Sequence, residues 1–381
     1  MRPAGFTLVE LMIAITIGII ILGALSQVFV TSRSTYIVEE GLARVQENGR
    51  FAMNFITDDI RMAGYMGCQD QTGKLVSQLN DPTGEYWPLR PTATTPIPVV
   101  TGFDYTGSGG TATTEWTPQL PATYFADGEV EPFTDVIMIR RGSDQTFQTV
   151  APWMNLPTDP VPIPAASDLK QWDIVMVANC EGADIFQITN TTANILTTGQ
   201  LQHTAVVPPA PIAPGNQGTA LSQTYDSTSE VFTLVTNAYF IGTGDSTGTN
   251  AGNFVPALFR KQITAGSIAP AEMVDNVDNL QVLFGVDGAP NPNDGVADQY
   301  LAANTVDLNP ANWISVASVR VGLLVRTPDE HGTDYDTNNA YEVAGTPVEP
   351  TPGADDRRQR RVFTSTVSVR NYTLFTRAPS P

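Results

Sequence analysis

The sequence predicts an α+β protein in which one long N-terminal helix, first membrane-spanning and then amphipathic, precedes a large antiparallel β-rich domain with long loops. Residues Leu11 to Val30 carry no formal charge, and apolar residues then recur every three or four positions as far as Ile60. The first pattern is typical of a membrane span and the second of an amphipathic helix. From Asp70 onward, short β-branched runs alternate with segments rich in Gly, Pro and Thr, as strands and loops do.

The uncharged segment is long enough to cross a bilayer, because its residues form a helix of about 30 Å. Glu10 lies directly before it. A carboxylate in hydrocarbon costs about 2.5–3.5 kcal/mol on insertion scales, so Glu10 requires a partner. Secretory signals place their small residues after a shorter apolar region, whereas here Gly5 precedes the apolar run. Arg2 makes the leader positive, which favours a cytoplasmic leader and an exported domain.

Beyond the span, the helix is predicted to continue with one apolar stripe that packs on the following domain. The stripe comprises Tyr36, Leu42, Val45, Ala52, Phe55, Ile56 and Ile60. Gly41 and Gly49 are expected to weaken the helix by up to about 1 kcal/mol each and to allow bending or local melting. Gly64, which follows Arg61, is a typical helix stop.

Six runs in the following domain predict strands, and one predicts a short helix. The strand runs are residues 135–139, 173–177, 231–235, 279–286, 316–325 and 362–369. Ala271 to Val277 has apolar residues three and four apart, which predicts the helix. Residues 88–121, 152–164, 206–218 and 242–252 are predicted to be loops, with surface connection favoured over display of a binding surface.

Composition limits the classes of partner. Among 381 residues, 39 Asp and Glu outnumber 20 Lys and Arg, which gives a net charge of −19. Such a charge repels polyanions, so no nucleic-acid partner is expected. The basic run Arg357 to Arg361 follows Asp355 and Asp356, which favours local ion pairing or a solvated loop over a nucleic-acid site. The chain beyond the helix is long enough for one large domain or two small ones.

The sequence shows no catalytic constellation. His203 and His331 are its only histidines, and both lie in polar, loop-like sequence where surface positions are expected. Asp287 and Asp298 resemble paired carboxylates, but no motif places an acid and a base around a substrate. The chain is therefore not expected to be an enzyme or to need a cofactor.

Cys68 and Cys180 are the only cysteines, and C-x-x-C spacing is absent. An even count in an exported chain permits a disulfide. We expect the two to pair and to staple the helix end to the β domain, with two buried free thiols as the alternative.

The segment 287–298 has two interpretations. Its oxygen-bearing side chains Asp287, Asn291, Asn293 and Asp298, with nearby glycines, resemble a calcium loop in composition. The spacing of an EF-hand is absent, and an acidic hairpin loop explains the same residues.

The run Gly5-Phe6-Thr7-Leu8-Val9-Glu10, followed by an uninterrupted span, resembles the type IV prepilins. The resemblance implies that a prepilin peptidase cuts between Gly5 and Phe6, that Phe6 is methylated, and that Glu10 meets the N-terminal amine of a neighbouring subunit. It divides the chain into a leader (1–5), a helix (6–64, membrane-spanning about 8–30) and a globular domain (65–381). An uncleaved signal anchor with a chance carboxylate is the alternative.

Later segments resemble the PilW family of type IV pilus assembly proteins. They are residues 61–68, 180–188, 257–260, 280–287, 298–313, 319–321 and 361–371. This resemblance implies a minor pilin of the bacterial inner membrane, with its domain in the periplasm, which helps to initiate the pilus. The implied partners are other minor pilins, the major pilin, the inner-membrane assembly platform and an adhesin-like protein at the tip.

Two other functions stay open at this point. The same N-terminal helix and peptidase serve the J-type minor pseudopilins of type II secretion, which build a short periplasmic fibre. A membrane-anchored, adhesin-like binding protein that uses its long loops belongs to a different class. Gene neighbourhood separates a minor pilin of the pilus from a minor pseudopilin, because pilus genes and secretion genes lie in different clusters.

Overall fold

The computed structural model describes residues 7–65, 67, 74–80, 98–122, 124–165, 167–209, 214–243, 255–263, 270–289, 294–307, 310–330, 340–349 and 357–371. Within these ranges the chain forms one long helix and a strand-rich domain with mainly antiparallel sheets. The predicted α+β fold class is confirmed.

Helix α1, Leu8–Met62, runs unbroken for 55 residues, or about 80 Å. It ends where predicted, at Ala63 and at Gly64 with a φ of 73°. The predicted melting at Gly41 and Gly49 is wrong, because both glycines lie inside the helix and are buried. A Cβ on Gly49 would lie 2.3 Å from the Phe363 ring. The missing side chain therefore lets a strand approach the helix closely.

In the described ranges, the other elements are short helices and seventeen strands. The short helices are α2 (Thr192–Thr198) and α3 (Ala303–Asp307), with 3-10 turns at Thr113–Glu115 and Pro310–Ser315. The strands are β1 (Lys74–Ser77), β2 (Val100–Tyr105), β3 (Trp116–Thr117), β4 (Val136–Gln148), β5 (Val161–Pro162), β6 (Ile174–Ala178), β7 (Gly182–Gln187), β8 (Gln200–Leu201), β9 (Glu230–Thr243), β10 (Pro256–Ile263), β11 (Pro270–Asp275), β12 (Val277–Val286), β13 (Gln299–Leu301), β14 (Val316–Arg326), β15 (Tyr341–Val343), β16 (Thr346–Val348) and β17 (Arg360–Ser368).

Two sheets carry most of these strands. The nine-stranded sheet has the order β1-β7-β6-β9-β4-β2-β3, and β10 also pairs with β9 and carries β11. The four-stranded sheet has the order β13-β12-β14-β17. Only β1 and β7 pair in parallel among the described strands. All six predicted strand runs coincide with strands, namely β4, β6, β9, β12, β14 and β17.

The predicted helix at residues 271–277 is wrong, because this segment forms β11 and the start of β12. Its pairing with β10, in the register Ala257↔Asp275 and Leu258↔Val274, decides the conformation. Two predicted loops also contain strands: β2 and β3 lie within 88–121, and β5 lies within 152–164. Residues 244–252 lie outside the described part of the chain.

The largest core lies between α1 and both sheets. It joins Val45 and Ile56 of the helix to Tyr239 of the nine-stranded sheet and to Leu323 of the four-stranded sheet. Two further cores lie on the nine-stranded sheet, one around Trp116, Phe125, Phe240 and Phe259 and one around Phe186, Ile195, Leu201 and Tyr225. The C-terminal half of α1 is thus a component of the folded domain.

Candidate functional site

The N-terminal half of α1 is covered by no other described part of the chain. From Leu8 to Val30, its large apolar side chains are 51–74% exposed. The helix is long and apolar enough to cross a membrane. Water does not favour so continuous an apolar surface, whereas lipid or other apolar helices would cover it.

Glu10 lies at the start of this surface and closes a capping box with Thr7. The Thr7 backbone N–H and hydroxyl donate to Glu10 Oε2 at 3.0 and 2.9 Å, and the Glu10 N–H donates to Thr7 Oγ1 at 3.3 Å. The box satisfies two backbone donors that a helix start otherwise leaves open. Both of these bonds to the carboxylate involve Oε2, so Oε1 accepts none from the described residues. The sequence signature T-x-x-E predicts this box, but the sequence analysis missed it.

The buried stripe of α1 is narrower than predicted. Val45, Ala52, Ile56 and Ile60 are buried, as expected, and Leu42 is half-buried. Tyr36 and Phe55 are exposed instead, 66% and 38%, so their assignment to the stripe is wrong. The domain begins to cover the helix only near Gly41 and covers one side of it.

Asp59 is the principal polar contact between α1 and the domain. Its carboxylate accepts hydrogen bonds from Arg141 Nε (2.9 Å), Asn237 Nδ2 (2.5 Å) and the Tyr239 hydroxyl (2.6 Å). The Tyr239 hydroxyl also lies 3.2 Å from the Phe55 carbonyl oxygen. Asp59 and Arg141 form an ion pair whose side chains are 8% and 14% exposed. The sequence analysis did not single out Asp59, although it lies three residues after Ile56 on the buried stripe.

The end of α1 is also fixed to the domain. The Gly64 N–H donates to the Arg140 carbonyl oxygen at 2.9 Å, and Asn371 Nδ2 donates to the Ala63 carbonyl oxygen at 2.9 Å. With Asn48, whose Nδ2 donates to Asp275 Oδ1 at 2.9 Å, these contacts fix the helix at both ends of its packed half. A force along α1 is therefore transmitted to both sheets.

Buried Asp135, which has half-buried Asp104 beside it, joins the two sheets. The Asp135 N–H donates to the Leu280 carbonyl oxygen at 2.9 Å, and Asp135 Oδ2 accepts from the Val282 N–H at 2.8 Å. Burial, and then the neighbouring Asp104, raise the pKa of Asp135 well above its usual range. Burial also raises the pKa of Asp104. The pair lines a cavity of about 380 Å³ beside Gln281.

Several predicted site residues lie outside the described ranges, so their roles stay predictions. They are Gly5, Phe6, Cys68, Asn291, Asn293 and His331. Cys180 follows β6, as expected, but its pairing with Cys68 is among these untested predictions. Alkylation of the unreduced exported protein would test it, since two labelled cysteines would refute the bridge.

The two described members of the predicted calcium loop contact the loop backbone. Asp287 Oδ2 accepts from the Gly295 N–H at 2.7 Å, and Asp298 Oδ2 accepts from the Gly288 N–H at 2.9 Å. These bonds fit the acidic hairpin interpretation. Within the described ranges, no three His, Cys, Asp or Glu residues lie close enough together to hold a metal ion.

His203 is buried, so its predicted surface position is wrong. It is 3% exposed, its Nε2–H donates to the Asp159 carbonyl oxygen at 2.9 Å, and its ring packs edge-on against Phe186. Burial lowers the pKa of His203. The ring completes the core around Phe186, which the polar local sequence did not indicate.

The basic run is also less solvated than predicted. Arg360 lies in β17, and its Nε contacts Asp278 Oδ2 at 2.8 Å, while Arg326 Nη1 lies 3.1 Å from the other oxygen of Asp278. All three side chains are largely buried. Arg360 therefore pairs with a residue distant in sequence, because β12, which carries Asp278, and β17 both pair with β14. Asp355 and Asp356 lie outside the described ranges.

Two family models match the chain. Residues 238–371 match the model described as Type IV Pilus-assembly protein W, and residues 1–26 match the model described as Prokaryotic N-terminal methylation motif. No curated protein and no solved structure matched in the corresponding searches. The first match spans the segment from the second half of β9 through β17 and includes the whole four-stranded sheet. Both predicted resemblances are confirmed over these residues, and the two matches support a pilin-like protein related to the type IV pilus.

Proposed function

We propose that this protein is a minor pilin that helps to initiate and assemble the type IV pilus and is located at its tip. The observation that carries the proposal is the pairing of an uncovered apolar half-helix, headed by Glu10, with a domain that matches the pilus-assembly family. A pilin requires both parts, because the half-helix inserts into the membrane and later packs in the fibre. The protein acts by binding and not by catalysis.

Processing follows from the N-terminal motif. A prepilin peptidase cleaves between Gly5 and Phe6, and the new N-terminal Phe6 is methylated. Cleavage leaves the capping box intact, because Thr7 and Glu10 both remain in the mature chain. The helix start is therefore the same before and after processing.

Glu10 then has two partners with different roles. Thr7 occupies Oε2 and orders the first turn. Oε1 points out of the chain's own network and receives the N-terminal amine of a neighbouring subunit. That contact offsets the cost of a carboxylate in hydrocarbon, which is about 2.5–3.5 kcal/mol on insertion scales.

The protein begins as a single-pass protein of the bacterial inner membrane, with the domain in the periplasm, and then moves into the pilus. Its partners are other minor pilins, the major pilin, the prepilin peptidase, the assembly platform and an adhesin-like protein at the tip. A nucleic-acid partner does not fit the net charge of −19.

Deletion of the gene separates the candidate functions. We expect the deletion strain to lose surface pili while its secreted enzymes reach the medium normally. Loss of secretion with normal piliation would favour a J-type minor pseudopilin. Normal piliation and secretion with reduced surface attachment would favour an anchored adhesin-like protein.

A further inference from the structure

The cavity beside Asp135 has a lining of hydrogen-bond acceptors and aromatic residues. Its volume is about 380 Å³, at the small end of ligand pockets, and it lies where the two sheets meet the β15–β16 hairpin. The acceptors belong to Asp104, Asp135, Gln281 and Glu349, and the aromatic residues are Tyr105 and Phe133. A small ligand that carries donors would be complementary to this lining.

Gln281 presents an unused acceptor to the cavity. Its side chain is only 6% exposed, and its Nε2 donates to the Phe133 carbonyl oxygen at 3.1 Å and to Asn279 Oδ1 at 2.9 Å. Because both partners are acceptors, the orientation of the amide is fixed and Oε1 is the atom left over. Oε1 accepts no hydrogen bond from the described residues, and it is not sealed from solvent. It therefore faces the cavity, where a ligand would supply the donor that a buried acceptor normally has.

Two carboxyl groups lie beside this amide. Asp135 is 4% exposed, Asp104 is half-buried, and their side chains interact with each other. Among the described residues, no Lys or Arg lines the cavity. Glu349, which is exposed, adds a third carboxyl group to the lining. A bound cation would offset the repulsion between these groups.

The aromatic residues complete the lining. The ring centroids of Tyr105 and Phe133 lie 4.9 Å apart, and Phe133 is 45% exposed. The Phe133 carbonyl oxygen accepts from Asn279 Nδ2 at 2.9 Å as well as from Gln281, which fixes its backbone at a φ of 61°. The Tyr105 hydroxyl already donates to the Gly110 carbonyl oxygen at 3.0 Å. These residues thus offer ring faces, which attract cations.

We propose that this cavity binds a guanidinium group, either of a free small molecule or of an arginine side chain from another protein. A guanidinium has five N–H donors and no acceptor, and its plane both pairs with carboxylates and stacks on aromatic rings. The Gln281 oxygen and the carboxyl groups would accept its donors, and the two rings would contact its plane. An ammonium group has three donors and no plane, so it would use fewer of these contacts. The site does not depend on the function proposed above.

Calorimetric titration of the full chain in detergent with methylguanidinium tests the site. Physiological salt screens general attraction to the net charge of −19. We expect saturable binding of one equivalent, about tenfold tighter than that of methylammonium. Retained affinity for N-acetylarginine methylamide would support an arginine side chain as the source, and its loss would support a free small molecule. Equal affinities for methylguanidinium and methylammonium, or the absence of saturation, would overturn the proposal.

Three variants locate the binding. Asp104→Asn should weaken methylguanidinium binding about tenfold, because it removes a half-buried charge beside the ligand. Glu349→Gln changes only an exposed side chain, so it gives a second measurement if Asp104→Asn fails to fold, and it should weaken binding about threefold. Glu342→Gln is the matched control, because Glu342 is exposed in the same hairpin and does not line the cavity. The control should keep the wild-type affinity. Equal losses in Glu342→Gln and Glu349→Gln, or unchanged affinity in all the folded variants, would overturn the site.

Discussion

Asp59 fixes α1 to the domain, so its removal should loosen the helix from the sheets. In Asp59→Ala, Arg141, Asn237 and Tyr239 lose an acceptor at 2.9, 2.5 and 2.6 Å. Removal of one partner of a buried ion pair costs about 3–5 kcal/mol. Because Arg141 keeps an exposed carboxylate, Asp144, at 2.8 Å, we expect the lower end, about 3 kcal/mol.

Urea unfolding of the full chain in detergent, monitored by tryptophan fluorescence, measures this loss of stability. We expect a lower urea midpoint with an unchanged dependence of the unfolding free energy on urea concentration. Asp58→Ala is the matched control. Asp58 is the preceding residue, its side chain is 72% exposed, and it pairs with Arg61 within the same turn. The control midpoint should stay at the wild-type value. Equal shifts of the urea midpoint in the two variants would refute the role of Asp59 in fixing α1 to the domain. A loss of unfolding free energy below about 1 kcal/mol in Asp59→Ala would refute it as well.

Three further predictions use the same chain. Gly49→Ala should lower the urea midpoint, because its Cβ would lie 2.3 Å from the Phe363 ring, although alanine favours a helix by about 1 kcal/mol; a higher midpoint would contradict this. The pKa of Asp135 is raised in the folded protein, so its contribution to the free energy of unfolding is full below about pH 4 and is lost as the pH rises toward the folded-state pKa. The free energy of unfolding should therefore fall with pH more steeply in wild type than in Asp135→Asn. Millimolar calcium should leave the melting temperature unchanged, since backbone N–H groups already bind the loop carboxylates; a rise that is lost in Asp287→Ala would establish a calcium site.

The sequence predicted the elements whose signals are local. The span, the stripe through Val45 and Ile60, and the stop at Gly64 each depend on residues within a few turns of one helix. The strand runs were also found, because each is short and rich in β-branched or other large apolar residues. Phe55 was misplaced because its spacing fits the stripe, whereas its exposure depends on where the edge of the domain lies.

Most of the features that sequence analysis missed depend on distant partners. The spacing within residues 271–277 fits one helical turn, but pairing with β10 makes a strand of it. His203 looked solvated because its neighbours in sequence are polar, whereas its partners Asp159 and Phe186 come from other segments. Asp59 did carry a local signal, since a charge within an apolar stripe indicates a buried partner.

The mature N-terminus of the fibre-associated protein tests the central claim most directly. Pili are sheared from cells, and the N-terminal peptide of this chain is sequenced by mass spectrometry. The account predicts a peptide that begins with methylated Phe6, because that cut frees an amine at the start of the helix headed by Glu10. An intact chain that begins with Met1 in the fibre fraction would contradict it.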